Sequence, residues 1–186
     1  MTTKKLKEIA EIISGYNFRS SIQEEENSSL FVLQSKNITS ETYINENNII
    51  KIENKAFKTA AFIQNEDIII SSRGSFRSAV VKSDKTIIVS SSLYIIRITS
   101  DLVLPEYVSL CLNSRKAQSQ LLQSSTGAVI NNLKIQSLKN IKLTIPDLEF
   151  QKKIVDLHTT GSLFSKLLIK KSNLVKDLAV EMINTL

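Results

Sequence analysis

Residues 125–151 read STGAVINNLKIQSLKNIKLTIPDLEFQ. A Gly-centred polar turn leads into an apolar-periodic segment through Leu133, Ile135, Leu138 and Ile141. A short strand at 142–146 follows and closes on Pro146. From Asp147 to Leu186 no further proline interrupts a helical pattern. The stretch therefore divides a globular body, residues 1–146, from a projecting arm, residues 147–186.

The arm has its own periodicity. Leu157, Gly161, Phe164, Leu168, Lys171, Val175, Leu178 and Met182 fall alternately four and three residues apart. That spacing is a heptad stripe, the pattern of a coiled-coil seam. Leu163, Leu167 and Leu174 widen it beyond what one seam buries. A helix of this length would reach roughly 50 Å at 1.5 Å per residue. Its apolar face exceeds what the body can cover, so it calls for another helix. Gly161, beside Thr159 and Thr160, either lets two helices approach closely or breaks this one.

Upstream the signal is β-like. Runs at 30–34, 48–52, 67–72, 79–81, 86–90 and 93–98 are rich in Ile and Val and separated by polar turns. They predict a strongly twisted sheet or partial barrel with strands buried on both faces. Residues 4–13, KKLKEIAEII, place Leu6, Ile9, Ala10 and Ile13 on one helical face, with Gly15 as a stop. After Asp101 the period changes. Pro105 opens a helix through PEYVSLCLNS, continued by RKAQSQLL. The fold class is α+β, a β-rich body with a small α+β part and a long C-terminal helix.

Composition narrows the function. The chain has 186 residues, with 42% hydrophobic and 23% charged, which is globular. No apolar run approaches the roughly 18 residues that cross a bilayer, and the N-terminus lacks a signal-peptide core, so a cytoplasmic protein is expected. One cysteine, Cys111, excludes an internal disulfide and a cysteine-cluster zinc site, and its apolar setting makes it a packed, unreactive thiol. The single histidine, His158, lies at the start of the arm, where a structural role fits better than a catalytic one. Phosphate-binding loop, metalloprotease, nucleophile-elbow and dinucleotide motifs are absent, as is a methyl-transfer motif. The chain is expected to have no catalytic residue, metal or cofactor.

Net charge is +6. Lys and Arg exceed Asp and Glu by 2 over residues 1–100 and by 4 over residues 101–186. That balance is compatible with a polyanionic partner. Several polar loops directly follow strands: SSRGSFR at 71–77, QSKNITS at 34–40, SSS at 90–92 and TGAVINNLK at 126–134. Arginine forks, hydroxyls and amides suit phosphate contacts and base edges. The candidate DNA-binding residues are Arg73, Ser75, Arg77, Lys36, Asn37, Ser91, Asn131, Asn132 and Lys134. An acidic loop at 24–27 is expected to be solvated.

An ordered set of segments carries a resemblance. LKEIAEIISGYNFR (6–19), VLQSKNI (32–38), DIIISSRGS (67–75), SSLYIIR (91–97), LPEYVSLCLNS (104–114), STGAVINNL (125–133) and IPDLEFQ (145–151) are similar to the specificity subunit of type I restriction-modification systems. The resemblance implies a target-recognition domain followed by a helical arm. Such a domain reads one half of a bipartite double-stranded DNA site. Full-length members carry two domains and two arms; one of each implies a half-size subunit acting as a homodimer. Leu157, Gly161, Phe164, Leu168, Val175, Leu178 and Met182 would form the dimer seam. Adenine methyltransferase subunits would dock on the helices, and a restriction motor subunit could join. The alternative is a truncated regulatory subunit, or a helical interaction module that binds methyltransferase without reading DNA. Asn65-Glu66 stands where the family often has a glycine, which leaves the turn before Asp67 open. Phe150 stands where an acidic residue is common.

Overall fold

The computed structural model describes residues 1–39, 41–54, 57, 61–124 and 132–185. It opens with β1 (Thr2–Lys5), a 3₁₀ turn at Leu6–Glu8 and β2 (Ala10–Ser14). The helix predicted over 4–13 does not form. β1 instead pairs antiparallel with residues 142–145, and β2 pairs with residues 94–98. Leu6, Ile9 and Ala10 are buried all the same, so the apolar residues were read correctly and their period was not. Gly15 is no helix stop: a Cβ there would lie 2.0 Å from the Ser90 carbonyl oxygen, so only glycine permits this approach.

The predicted β runs follow as β3 (Leu30–Leu33), β4 (Ile50–Ile52), β5 (Ile68–Ser71), β6 (Ser78–Val80), β7 (Thr86–Val89) and β8 (Leu93–Ile98). Then come α1 (Pro105–Asn113), α2 (Arg115–Gln123), α3 (Ile135–Asn140), β9 (Lys142–Ile145) and α4 (Leu148–Asn184). The strands form open sheets in the orders β2-β8-β5-β6, β4-β3-β7 and β1-β9. Among these strands β3 and β7 pair in parallel, and the other ladders are antiparallel.

Period-two alternation explains the layering. Ile68 and Ile70 of β5 face a core built with Val108, Leu112, Leu121 and Leu138 of the helices. Ile69 between them joins Leu33, Ile87 and Val89 in a second core that fills the space between the two larger sheets. A third cluster covers the outer side of β3, β4 and β7 with Tyr16, Phe18, Ile22 and Phe57. The central sheet is thus buried on both faces, as its continuous Ile/Val runs predict. α1 docks on β6 through small polar groups: Ser78 Oγ donates to the Ser109 carbonyl at 3.1 Å, and Asn113 Nδ2 donates to the Ser78 carbonyl at 2.8 Å. Cys111 is half-buried, and burial pushes its thiol pKa up, which keeps it protonated.

The turn before β5 answers the missing glycine. Glu66 adopts φ 71°, a left-handed conformation that costs a non-glycine residue about 1–2 kcal/mol. The turn persists because Asp67, 2% exposed, is tied on all sides. Its Oδ2 accepts from Gln64 N at 2.7 Å, and Arg97 binds both oxygens through Nε (2.9 Å) and Nη2 (2.7 Å). Glu66→Gly is therefore expected to stabilise the fold by about 0.5–1 kcal/mol, after glycine's greater unfolded-state entropy is subtracted. Urea unfolding checks this; an unchanged or lower midpoint would show that the turn bears no strain.

Candidate nucleic-acid interface

The polar loops meet along one margin of the sheets because main-chain hydrogen bonds tie each to the next. Ser90 N donates to the Leu33 carbonyl at 3.0 Å, joining the Ser90–Ser92 loop to the one after β3. Ser72 N donates to the Ser92 carbonyl at 2.9 Å, and Leu133 N donates to the Ser72 carbonyl at 2.8 Å. Arg73 and Asn132 form an antiparallel bridge, and Tyr94 Oη donates to the Leu133 carbonyl at 2.8 Å. Lys36, Ser91, Arg73, Asn132 and Lys134 consequently hang from a continuous rigid support.

The hairpin between β5 and β6 is shaped by Gly74, whose φ of 73° favours glycine. Ser71 Oγ donates to the Arg73 carbonyl at 2.8 Å, and Ser71 N donates to the Arg77 carbonyl at 2.9 Å, so the turn is closed on itself. Arg73, Ser75 and Arg77 are exposed. Among the described residues the side chains of Lys36, Arg73, Arg77 and Lys134 have no carboxylate partner. Elsewhere on the body Lys82, Lys85 and Arg97 are paired with Glu106, Glu46 and Asp67. The margin therefore offers cationic donors that no carboxylate of the described residues pairs.

Not every candidate sits together. Lys36 and Ser91 line a cleft of about 460 Å³ with Phe18, Gln34 and Ser92. Ser75 and Arg77 line a separate cleft of about 340 Å³, whose other walls include Glu41, Thr42, Asn113 and His158. Asn37 is corrected: it is 3% exposed, its Oδ1 accepts from Gln34 N at 2.9 Å, and its Nδ2 donates to the Asn48 carbonyl at 2.9 Å. Its amide holds the loop, whereas the neighbouring Lys36 is exposed. Asn131 lies outside the described residues, as do Ser40 and the loop at 125–130.

The structure adds residues that the sequence reading passed over. Phe18, Ser20 and Ser21 also line the Lys36 cleft. Their signal was present in YNFRSSI, an aromatic–arginine–hydroxyl run directly after a strand. The other addition is Gln151, fully buried at the root of α4. Its Oε1 accepts from Leu104 N at 2.9 Å, and its Nε2 donates to the carbonyls of Leu102 (2.9 Å) and Pro146 (2.8 Å). Asp147 caps the helix by accepting from Phe150 N at 2.8 Å.

α4 runs 37 residues, about 55 Å, without a break at Gly161. Thr42 Oγ1 lies 3.3 Å from His158 Nδ1, and Lys166 Nζ reaches Glu41 at 2.9 Å. Beyond those struts the arm is bare. Leu157 is 77% exposed, and Phe164, Leu168, Val175, Leu178 and Met182 are all more than half exposed. A Cβ on Gly161 would meet nothing within 4 Å. So large an uncovered apolar stripe marks an interaction surface. No described helix is long and apolar enough to cross a membrane.

An open sheet margin of free cations and a rooted, uncovered helix define a recognition module. The chain belongs to the type I restriction modification DNA specificity domain family, whose model matches residues 1–174. That domain recognises DNA and carries no catalysis. No curated protein matches the chain. Among solved structures it is similar to the HsdS subunit from Thermoanaerobacter tengcongensis (TM-score 0.61, 16% identity, 92% of this chain and 39% of that one). It is also similar to a chain from a structure of type I R-M complex assembly and conformational transition (TM-score 0.67, 19% identity, 90% and 39%). A third is the S subunit from M. genitalium (TM-score 0.50, 18% identity, 89% and 39%). The chain thus spans about 39% of the length of each.

Proposed function

We propose that this chain directs an adenine methyltransferase to a bipartite double-stranded DNA target, acting as a homodimer. Residues 1–146 read one half-site, and residues 147–186 pair with a second copy, so that two readers face a palindromic, interrupted sequence. The observation that carries this reading is the uncovered apolar stripe on an arm rooted in a DNA-recognition body. Dimer geometry then sets half-site spacing, as it does for other symmetric DNA readers. Leu163, Leu167 and Leu174 lie beside the seam and supply apolar surface for the methyltransferase subunit. A restriction motor subunit joins the same assembly. The expected place of action is the cytoplasm.

Methylation mapping of cells carrying the methyltransferase, with and without this chain, tests the proposal. An interrupted palindromic motif that appears only with the chain supports it. Stable binding to the methyltransferase without any motif favours a regulatory subunit instead. At residue level, Arg73→Ala is expected to weaken cognate binding by about 1–3 kcal/mol if Arg73 reads a base edge. Titration of cognate and scrambled duplexes separates the cases. A uniform loss on both assigns Arg73 to phosphates, and no loss removes it from the interface.

A further inference from the structure

The cleft beside Lys36 has a composition that polar readout alone does not explain. Its polar lining includes Ser20, Ser21, Lys36 and Ser91, while Phe18 and Ile22 are its apolar parts. Both are half-buried members of the outer core cluster, so each offers one face to solvent and one to the fold. Phe18 is also held in orientation. Its ring meets Tyr16 edge-on at 4.9 Å and Phe57 at 6.1 Å, and Tyr16 meets Phe57 at 4.9 Å. A pre-oriented ring in the lining of an open polar cleft is a surface for a small apolar group.

Charge selects what can enter. Among the described residues no carboxylate lines this cleft, and Lys36 does. The adjoining cleft shares the wall from Phe18 to Ile22 but carries Glu24, Glu25 and Glu53. A polyanion is attracted on one side of that wall and repelled on the other. Among the groups that duplex DNA presents in the major groove, only the 5-methyl of thymine is apolar.

We propose that Phe18 and Ile22 form a receptor for the C5-methyl group of a thymine in the recognised half-site. This rests on the DNA-reading proposal above and extends it to one chemical group. The test uses the chain assembled with its methyltransferase subunit and the duplex identified by methylation mapping. Each thymine of the half-site is replaced in turn by deoxyuridine, which deletes the methyl and leaves base pairing intact. One position is expected to lose affinity about three- to fivefold, the effect of removing one methyl from apolar contact. Phe18→Ala, with Ile22→Ala as a second variant should the first fail to fold, is expected to bind the thymine and deoxyuridine duplexes equally. Preference at the other positions of the half-site should persist. If every deoxyuridine duplex binds as tightly as the parent while scrambled DNA does not, the methyl receptor is wrong and DNA reading stands. If no duplex is preferred over scrambled DNA, both fall.

Discussion

Gln151→Leu is expected to destabilise the protein by about 3–5 kcal/mol, although it replaces a polar side chain by an apolar one of similar size. Gln151 is 0% exposed, yet both ends of its amide are used. It accepts from Leu104 N and donates to the carbonyls of Leu102 and Pro146. The substitution leaves the part-buried Leu104 N–H and Leu102 carbonyl and the buried Pro146 carbonyl without it, and a fully stranded buried group costs about 1–3 kcal/mol. Loss on that scale is a large part of the stability of a typical domain. The same bonds join the segment before α1, the end of β9 and the first turn of α4, so the arm's exit direction loosens as well. Gln151→Glu separates the two ends of the amide. Its carboxylate can still accept from Leu104 N but faces two carbonyl oxygens, which raises its folded-state pKa above the unfolded value of about 4.3. Relative to the parent protein, that variant should then lose stability as pH rises from 4 towards 7. Urea melts at several pH values give the comparison. A Gln151→Leu penalty under about 1 kcal/mol would mean that the latch is open in solution.

This latch also shows where sequence legibility ends. The strands β3 to β8 were readable because period two and Ile/Val content are local signals, and the sheet they form reinforces them. Asp147 and Pro146 announced α4 for the same reason: capping and proline chemistry act over a few residues. β1 and β2 were missed because their partners lie at 142–145 and 94–98. The spacing of Leu6, Ile9, Ala10 and Ile13 satisfies a helix locally, and only pairing across the whole chain overrides it. The same limit applies to the interface. Composition placed Lys36 and Asn37 together, whereas burial makes one a free cation and the other a loop clamp. Arg73 and Arg77 flank one turn but line up with different neighbours, since Arg73 bridges Asn132 and Arg77 borders the cleft beside His158. Gln151 reads in sequence as an unremarkable polar residue in a first helical turn, because two of the three backbone groups it satisfies lie 47 and 49 positions away.

The paired substitution Leu168→Glu and Leu178→Glu is expected to abolish self-association while leaving the body folded. In the single chain these leucines are 52% and 57% exposed, so nothing in their own body covers them. They occupy the stripe that runs from Leu157 through Phe164 and Val175 to Met182, at the alternating spacing of a helix–helix seam. Burying a leucine contributes about 1.5–3 kcal/mol. A symmetric pair holds each position twice, so the two substitutions remove four such burials and put four carboxylates into one seam. No dimer of ordinary affinity survives a loss of that size. The body should be indifferent, since among the described residues the struts from arm to body end at Lys166 and the core is built from other residues. Light scattering at micromolar concentration should give about twice 20.9 kDa for the parent chain and the monomer mass for the variant, with an unchanged urea midpoint for the body. A monomeric parent would sink the symmetric-dimer proposal outright. Unfolding of the whole variant would place the stripe against its own body, and a dimer that persists would put the interface elsewhere on the surface.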